Sequence, residues 1–337
     1  MDVLLSGTEG GGGGYFKESY EDWSLDRATG SRMTSTTGTI KGTIEMTPGA
    51  RRRDATCEVD IGGAKWALIY YIYDRSTVFV ISCTVEDRNK VLWNCEARGQ
   101  LTVRSSDEQK STLWTGSFTC LQRRDGYAAS DSLEFFISAR EITFEAKIEV
   151  TKMTKIHLSS PTNQLIDCLD DAACLRVEGE KLWVSKKVLS MHSPFFKAMF
   201  TSNFMEKATG AYVLRDVRAA TLKAFLCVVY NLDVPMNAAR FEGLLRLGDM
   251  YQCDTVLRFC RELLRNPKTE YVSLKTKIMF CDRHDYTHLL ASIIREAPLD
   301  DLKEFVKNGN NGHLNPFAHQ LIEERLVRSD VTIIYLD

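Results

Sequence analysis

Two periodicities divide the chain. Between residues 37 and 153 apolar side chains recur at every second position, the spacing of strands with one face on a core and the other in water. Val91, Trp93, Cys95, Ala97, Gly99, Leu101 and Val103 form one such series, interleaved with Asn94, Glu96, Arg98, Gln100, Thr102 and Arg104. Gly99 marks an expected bulge. Ile142, Phe144, Ala146, Ile148 and Val150 alternate with Thr143, Glu145, Lys147 and Glu149 and predict the strand that closes the domain. Trp66, Leu68, Tyr70 and Ile72, followed by residues 78–85, predict a hairpin over Asp74-Arg75-Ser76; Trp114, Gly116, Phe118 and Cys120 supply a further strand. Short strands separated by turn signals predict an all-β sandwich or barrel.

From residue 164 the period changes. Residues 174–177 and 181–184 predict a two-stranded unit around Glu178-Gly179, and helical spacing follows. Leu222, Phe225, Leu226, Val229 and Tyr230 make one amphipathic stripe, and Val256, Leu257, Cys260, Leu263 and Leu264 another. Ser193-Pro194 sets a capping hydroxyl before a proline at the first helical position, predicting a helix through Phe196, Met199 and Phe200. Asn315-Pro316 repeats the device ahead of Phe317, Leu321, Ile322 and Leu326, while Leu289, Leu290, Ile293, Ile294 and then Leu302, Phe305, Val306 predict two more helices. The expected class is α+β and multidomain. A Gly/Ser-rich tail (1–36) leads into the β-sandwich (37–153), and a polar linker (154–163) carries Ser159, Ser160 and Pro161. A mixed α/β domain (164–265), helical hairpins (266–330) and a tail (331–337) follow; residues 331–336 are β-prone and suit an added strand or a frayed end.

The chain has 337 residues, room for two domains of roughly 100–200 residues each. Its 43 basic and 45 acidic residues give a net charge of -2, so no field of either sign points to nucleic acid or an acidic membrane. No run approaches about 18 uncharged apolar residues. The ten cysteines lack a framework spacing, which predicts reduced thiols and residence in cytoplasm or nucleus. Cys281, His284 and His288 fall at helical spacing, which could offer three metal ligands, but no companion ligand stands at a usual spacing and packed helix residues are the expectation. No Gly-x-Ser-x-Gly elbow is present, and the glycine run at 10–14 lacks the strand and Lys-Ser/Thr ending of a phosphate loop. Neither catalytic residue, cofactor nor metal is expected, and Cys253 and Cys260 read as small core residues.

Residues 184–200, Val-Ser-Lys-Lys-Val-Leu-Ser-Met-His-Ser-Pro-Phe-Phe-Lys-Ala-Met-Phe, resemble the BTB (POZ) domain, as do Val213-Leu214-Arg215-Asp216-Val217, Val228-Val229-Tyr230 and residues 244–251 in the same order. The closest likeness is to nematode-type MATH–BTB proteins, in which helices continue past the domain much as residues 270–328 do here. Residues 58–66 resemble the early signature of the MATH domain, a TRAF-like sandwich, and Asp131-Ser132-Leu133 with residues 142–148 resemble its last strands. The Trp-Gly-x-x-Phe-like element of the MATH peptide groove is missing; Arg124-Asp125-Gly126-Tyr127 stands near its place.

The resemblance implies a non-enzymatic adaptor that dimerises through its BTB domain, docks on the scaffold named cullin three, and recruits an unidentified protein substrate through the MATH-like domain. Cullin contact in the family uses a hydrophobic-x-Glu element after the Phe-rich helix, which here is Phe204-Met205-Glu206. Dimerisation would use a leading strand and first helix around 164–169, contributing Leu165, Ile166 and Leu169, with Asp170 or Asp171 in the place of the aspartate that often opens the first BTB strand. A BTB scaffold or transcriptional-regulator platform without ligase coupling is the alternative.

Overall fold

The computed structural model describes residues 35–45, 52–73, 76–86, 90–121, 133–136, 141–202, 210–266 and 269–334. Its first half is an antiparallel sandwich. One sheet runs β1 (Thr37–Glu45), β9 (Glu141–His157), β6 (Val91–Arg104), β7 (Gln109–Thr119); the other runs β2 (Arg52–Ala55), β4 (Ala64–Tyr73), β5 (Ser76–Thr84), β8 (Leu133–Phe136), with β3 (Val59–Ile61) also paired to β4. The alternation decides the inner faces: Ile142, Phe144, Ala146, Ile148 and Val150 of β9 are buried, as are Trp93, Cys95, Ala97, Leu101 and Val103 of β6. Trp66 is completely buried between the sheets, edge-on to Phe118 at 5.1 Å, and its indole N–H donates to the Ile61 carbonyl at 3.1 Å.

Three local expectations change. The β4–β5 register pairs Tyr73 with Ser76, so Ser76 already belongs to the strand and the connection is Asp74-Arg75, outside the described residues. The bulge sits opposite Glu96/Ala97 rather than at Gly99. Thr151 of β9 is the extra residue, and its hydroxyl donates to the Glu96 carbonyl at 3.0 Å. Gly99 has a different cause, because a Cβ there would strike the Trp114 indole and the Lys147 carbonyl of the neighbouring strand.

The third change concerns residues 154–157, expected as linker, which are the last turn of pairing between β9 and β6, from Asn94↔Thr154 to Val91↔His157. The bulge explains what they do. An extra residue inverts the alternation, so past Thr151 the even positions point away from the sandwich core. Ile156 lies directly opposite Leu92, and both belong, with Leu158, to the apolar core of the second half.

That second half starts with a three-stranded sheet, β11 (Glu180–Ser185), β10 (Ala172–Val177), β12 (Ala211–Val213), in which β12 is parallel to β10. Glu178 and Gly179, both at positive φ (46° and 81°), close the β10–β11 hairpin in two residues. Around the sheet lie α1 (Lys186–His192), α2 (Pro194–Thr201), α3 (Ala219–Val229), α4 (Ala238–Met250) and α5 (Asp254–Leu264), then α6 (Leu274–Arg283), α7 (Thr287–Glu296), α8 (Leu299–Lys307) and α9 (Pro316–Ile334). Cys253 and Cys260 are fully buried core residues. Residues 331–334 belong to α9 instead of forming a strand. Asn315 caps that helix through Ala318 N–H at 2.9 Å, and propagating an established helix costs less than nucleating anything new.

Polar groups complete the joint between the halves. The Asp233 carboxylate, in the loop after α3, accepts from the Asn94 amide at 3.3 Å and the Ser117 hydroxyl at 3.2 Å. Arg240 of α4 donates to the Leu121 carbonyl at 2.8 Å, beyond the end of β7. Leu158 N–H donates to the Lys90 carbonyl at 2.6 Å, and its own carbonyl accepts from Trp183 N–H at 2.8 Å, so the connection is bonded to both halves. Leu158→Ala, at a fully buried site in this joint, is expected to lower the unfolding free energy by about 2–5 kcal/mol in urea titrations. A loss below about 1 kcal/mol would mean that the site collapses around the cavity or that the joint contributes little.

Candidate partner-binding surfaces

The α1–α2 corner is built from serines. Ser185 caps α1 through Val188 N–H at 3.1 Å, and Ser193 caps α2 through Phe196 N–H at 3.1 Å, with Pro194 at the first helical position. The Ser193 hydroxyl also donates to the Tyr251 carbonyl, tying α2 to the end of α4. Phe196 fills the space beneath, 4.7 Å from Tyr251 and 5.8 Å from Phe200 between ring centroids. Burial pushes the Tyr251 phenol up to about 12. With its inner face held this way, the corner shows solvent two apolar groups: Met191, 68% exposed, and Phe195, 38% exposed.

Phe204, Met205 and Glu206, the expected cullin-contact residues, lie outside the described residues. The chain leaves α2 at Ser202, whose N–H donates to the Ala198 carbonyl at 3.0 Å, and is described again from Gly210, at φ 62°, where β12 follows. Arg124, Asp125, Gly126 and Tyr127, together with Asp131 and Ser132 of the sandwich, are likewise outside them.

Residues 164–169 do not form the expected leading strand and helix. Turns and bends occupy 161–168, followed by a short 3-10 turn at Leu169–Asp171. The reason is Asn163, a buried side chain whose carbonyl oxygen accepts from Leu165 N–H at 3.1 Å while its amide donates to the Trp183 and Ser160 carbonyls. An Asx turn of this kind competes with regular structure. Leu165 packs half-buried on the core, Ile166 is half-buried, and Leu169 is 71% exposed. The three thus do not present one face. Asp171 ends the 3-10 turn one residue ahead of β10, and its carboxylate accepts from Lys187 N–H at 2.8 Å, adding an anion to the first turn of α1.

Cys281, His284 and His288 are also separated. α6 ends at Arg283, His284 is its cap, and His288 belongs to α7. Burial raises the Cys281 thiol to about 12, and His284 Nε2 lies 2.9 Å from an Asp249 carboxylate oxygen. Among the described residues no cluster of three or more His, Cys, Asp or Glu suits a metal ion, and no helix is long and apolar enough to cross a membrane.

A groove of about 500 Å³ between α4 and α6, floored by Leu245, Met279 and Phe280 and edged by Arg246, Lys275 and Arg283, was not legible in the sequence. Its walls come from helices more than twenty residues apart, each with an ordinary amphipathic stripe, so no local pattern announces it.

Two outcomes follow for the α1–α2 corner. Ser193→Ala removes the cap and orphans the Tyr251 carbonyl, and is expected to cost about 1–3 kcal/mol by chemical denaturation. His192, hydrogen-bonded through Nδ1 to the Thr255 hydroxyl at 2.9 Å, has its pKa lowered by desolvation and by Arg258. A depressed folded-state value means the unfolded chain binds the proton more tightly, so stability is full above the ordinary histidine value of 6.5 and falls below it. His192→Asn should flatten that slope in unfolding curves taken from about pH 7 to about pH 5.

Residues 163–268 match the family model described as BTB/POZ domain. The chain is 25% identical over 285 residues to BTB and MATH domain-containing protein 38 of Caenorhabditis elegans, covering 78% of this chain and 72% of that protein. It is 22% identical over 317 residues to BTB and MATH domain-containing protein 36 of the same organism, covering 86% of this chain and 96% of the relative. Kelch repeat and BTB domain-containing protein 4 of Homo sapiens is 31% identical over 111 residues, which is 33% of this chain and 20% of that protein. The three-stranded sheet, the Ser-Pro-capped aromatic helix and the helices packed on them within residues 163–268 are therefore a BTB/POZ domain, in a chain similar over most of its length to the BTB and MATH domain-containing proteins of Caenorhabditis elegans.

Proposed function

We propose that this chain is a substrate-recruiting adaptor of a cullin-RING ubiquitin ligase, non-enzymatic itself, with the BTB domain docking the cullin and the sandwich holding a protein substrate. The observation that carries this reading is the construction of the BTB corner: capped helices α1 and α2, packed through Phe196, hold Met191 and Phe195 in solvent, and Phe204-Met205-Glu206 follow α2 in sequence. Exposed apolar groups held on packed, capped helices suit a hot spot, because little of their own ordering entropy is then lost on binding. Self-association is part of the same proposal and draws on exposed Leu169 and on half-buried Leu165 and Ile166.

Calorimetry of the full chain against the amino-terminal region of the cullin scaffold tests the reading. Wild type is expected to bind, and Phe204→Ala/Glu206→Ala to weaken binding at least about 30-fold, the equivalent of about 2 kcal/mol at a hot spot. A folded wild type that does not bind leaves the BTB domain as a scaffold without ligase coupling. Sedimentation of Leu169→Asp alongside wild type tests self-association, with a shift toward monomer as the expected result.

A further inference from the structure

The joint between sandwich and BTB domain contains two thiols. Cys120, half-buried in the turn that ends β7, and Cys227, fully buried in α3, bring their sulfurs within 3.7 Å of each other across 107 residues of chain. Three observations separate this pair from the other cysteines. One member is reachable from solvent, whereas Cys83 and Cys95 are both buried inside the sandwich, with Cys83 pushed far upward by desolvation. Hydrogen bonding from Cys227, backbone N–H groups and the Lys223 ammonium hold the Cys120 thiol below its ordinary value, favouring the nucleophilic thiolate. Cys120 also lies one residue past the last pair of β7, held there by its N–H to the Trp93 carbonyl at 3.0 Å, with its sulfur toward α3 rather than inside the sandwich.

We infer that Cys120 and Cys227 form an oxidisable dithiol, a site for peroxide-class oxidants at which a reversible disulfide fastens the sandwich to the BTB domain. The Cys120 thiolate attacks one peroxide oxygen, breaking the O–O bond and giving a sulfenic acid and water. The Cys227 sulfur then attacks the sulfenic sulfur, forming S–S as the hydroxyl leaves with a proton as a second water. Two thiols and one hydrogen peroxide become one disulfide and two waters, with two electrons passing from sulfur to oxygen. Sulfurs 3.7 Å apart must close to about 2.05 Å for the bond to form.

Native full-length protein treated with hydrogen peroxide, alkylated and mapped by mass spectrometry under non-reducing conditions should show a reducible link between the peptides of Cys120 and Cys227. The thermal midpoint should rise by roughly 5–10 °C over the reduced protein, since the link closes a loop of more than a hundred residues. Cys120→Ser should abolish both link and rise. The inference is overturned if both thiols are alkylated separately after treatment, if Cys120 is carried to sulfinic acid without a link, or if the rise persists in Cys120→Ser. Should that variant fail to fold, the peptide map of the unmutated chain decides by itself.

Discussion

The joint formed by Leu92, Ile156 and Leu158 is the constraint on which the rest of the molecule depends. Leu92 and Ile156 face each other across β6 and β9 on the outer side of the sandwich sheet, where a two-layer fold would ordinarily show polar groups to water. Leaving them exposed would forfeit about 1.5–3 kcal/mol each, so the BTB domain serves as a cover for the sandwich as much as a neighbour of it. Because β-structure alternates strictly, this arrangement requires the parity change at Thr151; without that bulge Ile156 would point into the sandwich core and a polar neighbour would meet the BTB domain.

Much of the architecture was legible because it obeys one period at a time. The clean alternation of residues 142–150 and 93–103 marks strands with one wet face, and Ser193-Pro194 marks a helix start through capping chemistry that needs no tertiary information. The joint was harder to read because both its strands break the rule. Val91-Leu92-Trp93 is a continuous apolar run, the pattern of a strand buried on both faces, and it was the one signal available. Residues 151–157 lose their alternation to the bulge and are rich in Thr and Lys, so their composition resembles a linker although 152–157 are paired with β6.

The partner-binding surfaces divide along the same line. Asn163 imposes an Asx turn where family likeness called for a strand and helix, a local hydrogen-bond preference outweighing an analogy of position. The α4–α6 groove escaped notice for the opposite reason, since it exists only in tertiary packing.

A bonded and apolar joint changes how an adaptor built on it would work. Two modules on a flexible tether present a captured partner over a wide volume, at an effective concentration set by the tether. Here Leu158 is hydrogen-bonded to both halves, and Asp233 and Arg240 fix the far side of the interface, so a molecule held by the sandwich would meet anything docked on the BTB domain from a narrow range of directions. Reach is given up for orientation, and the geometry of the joint, more than the affinity of either surface, then decides which sites on a bound partner are accessible.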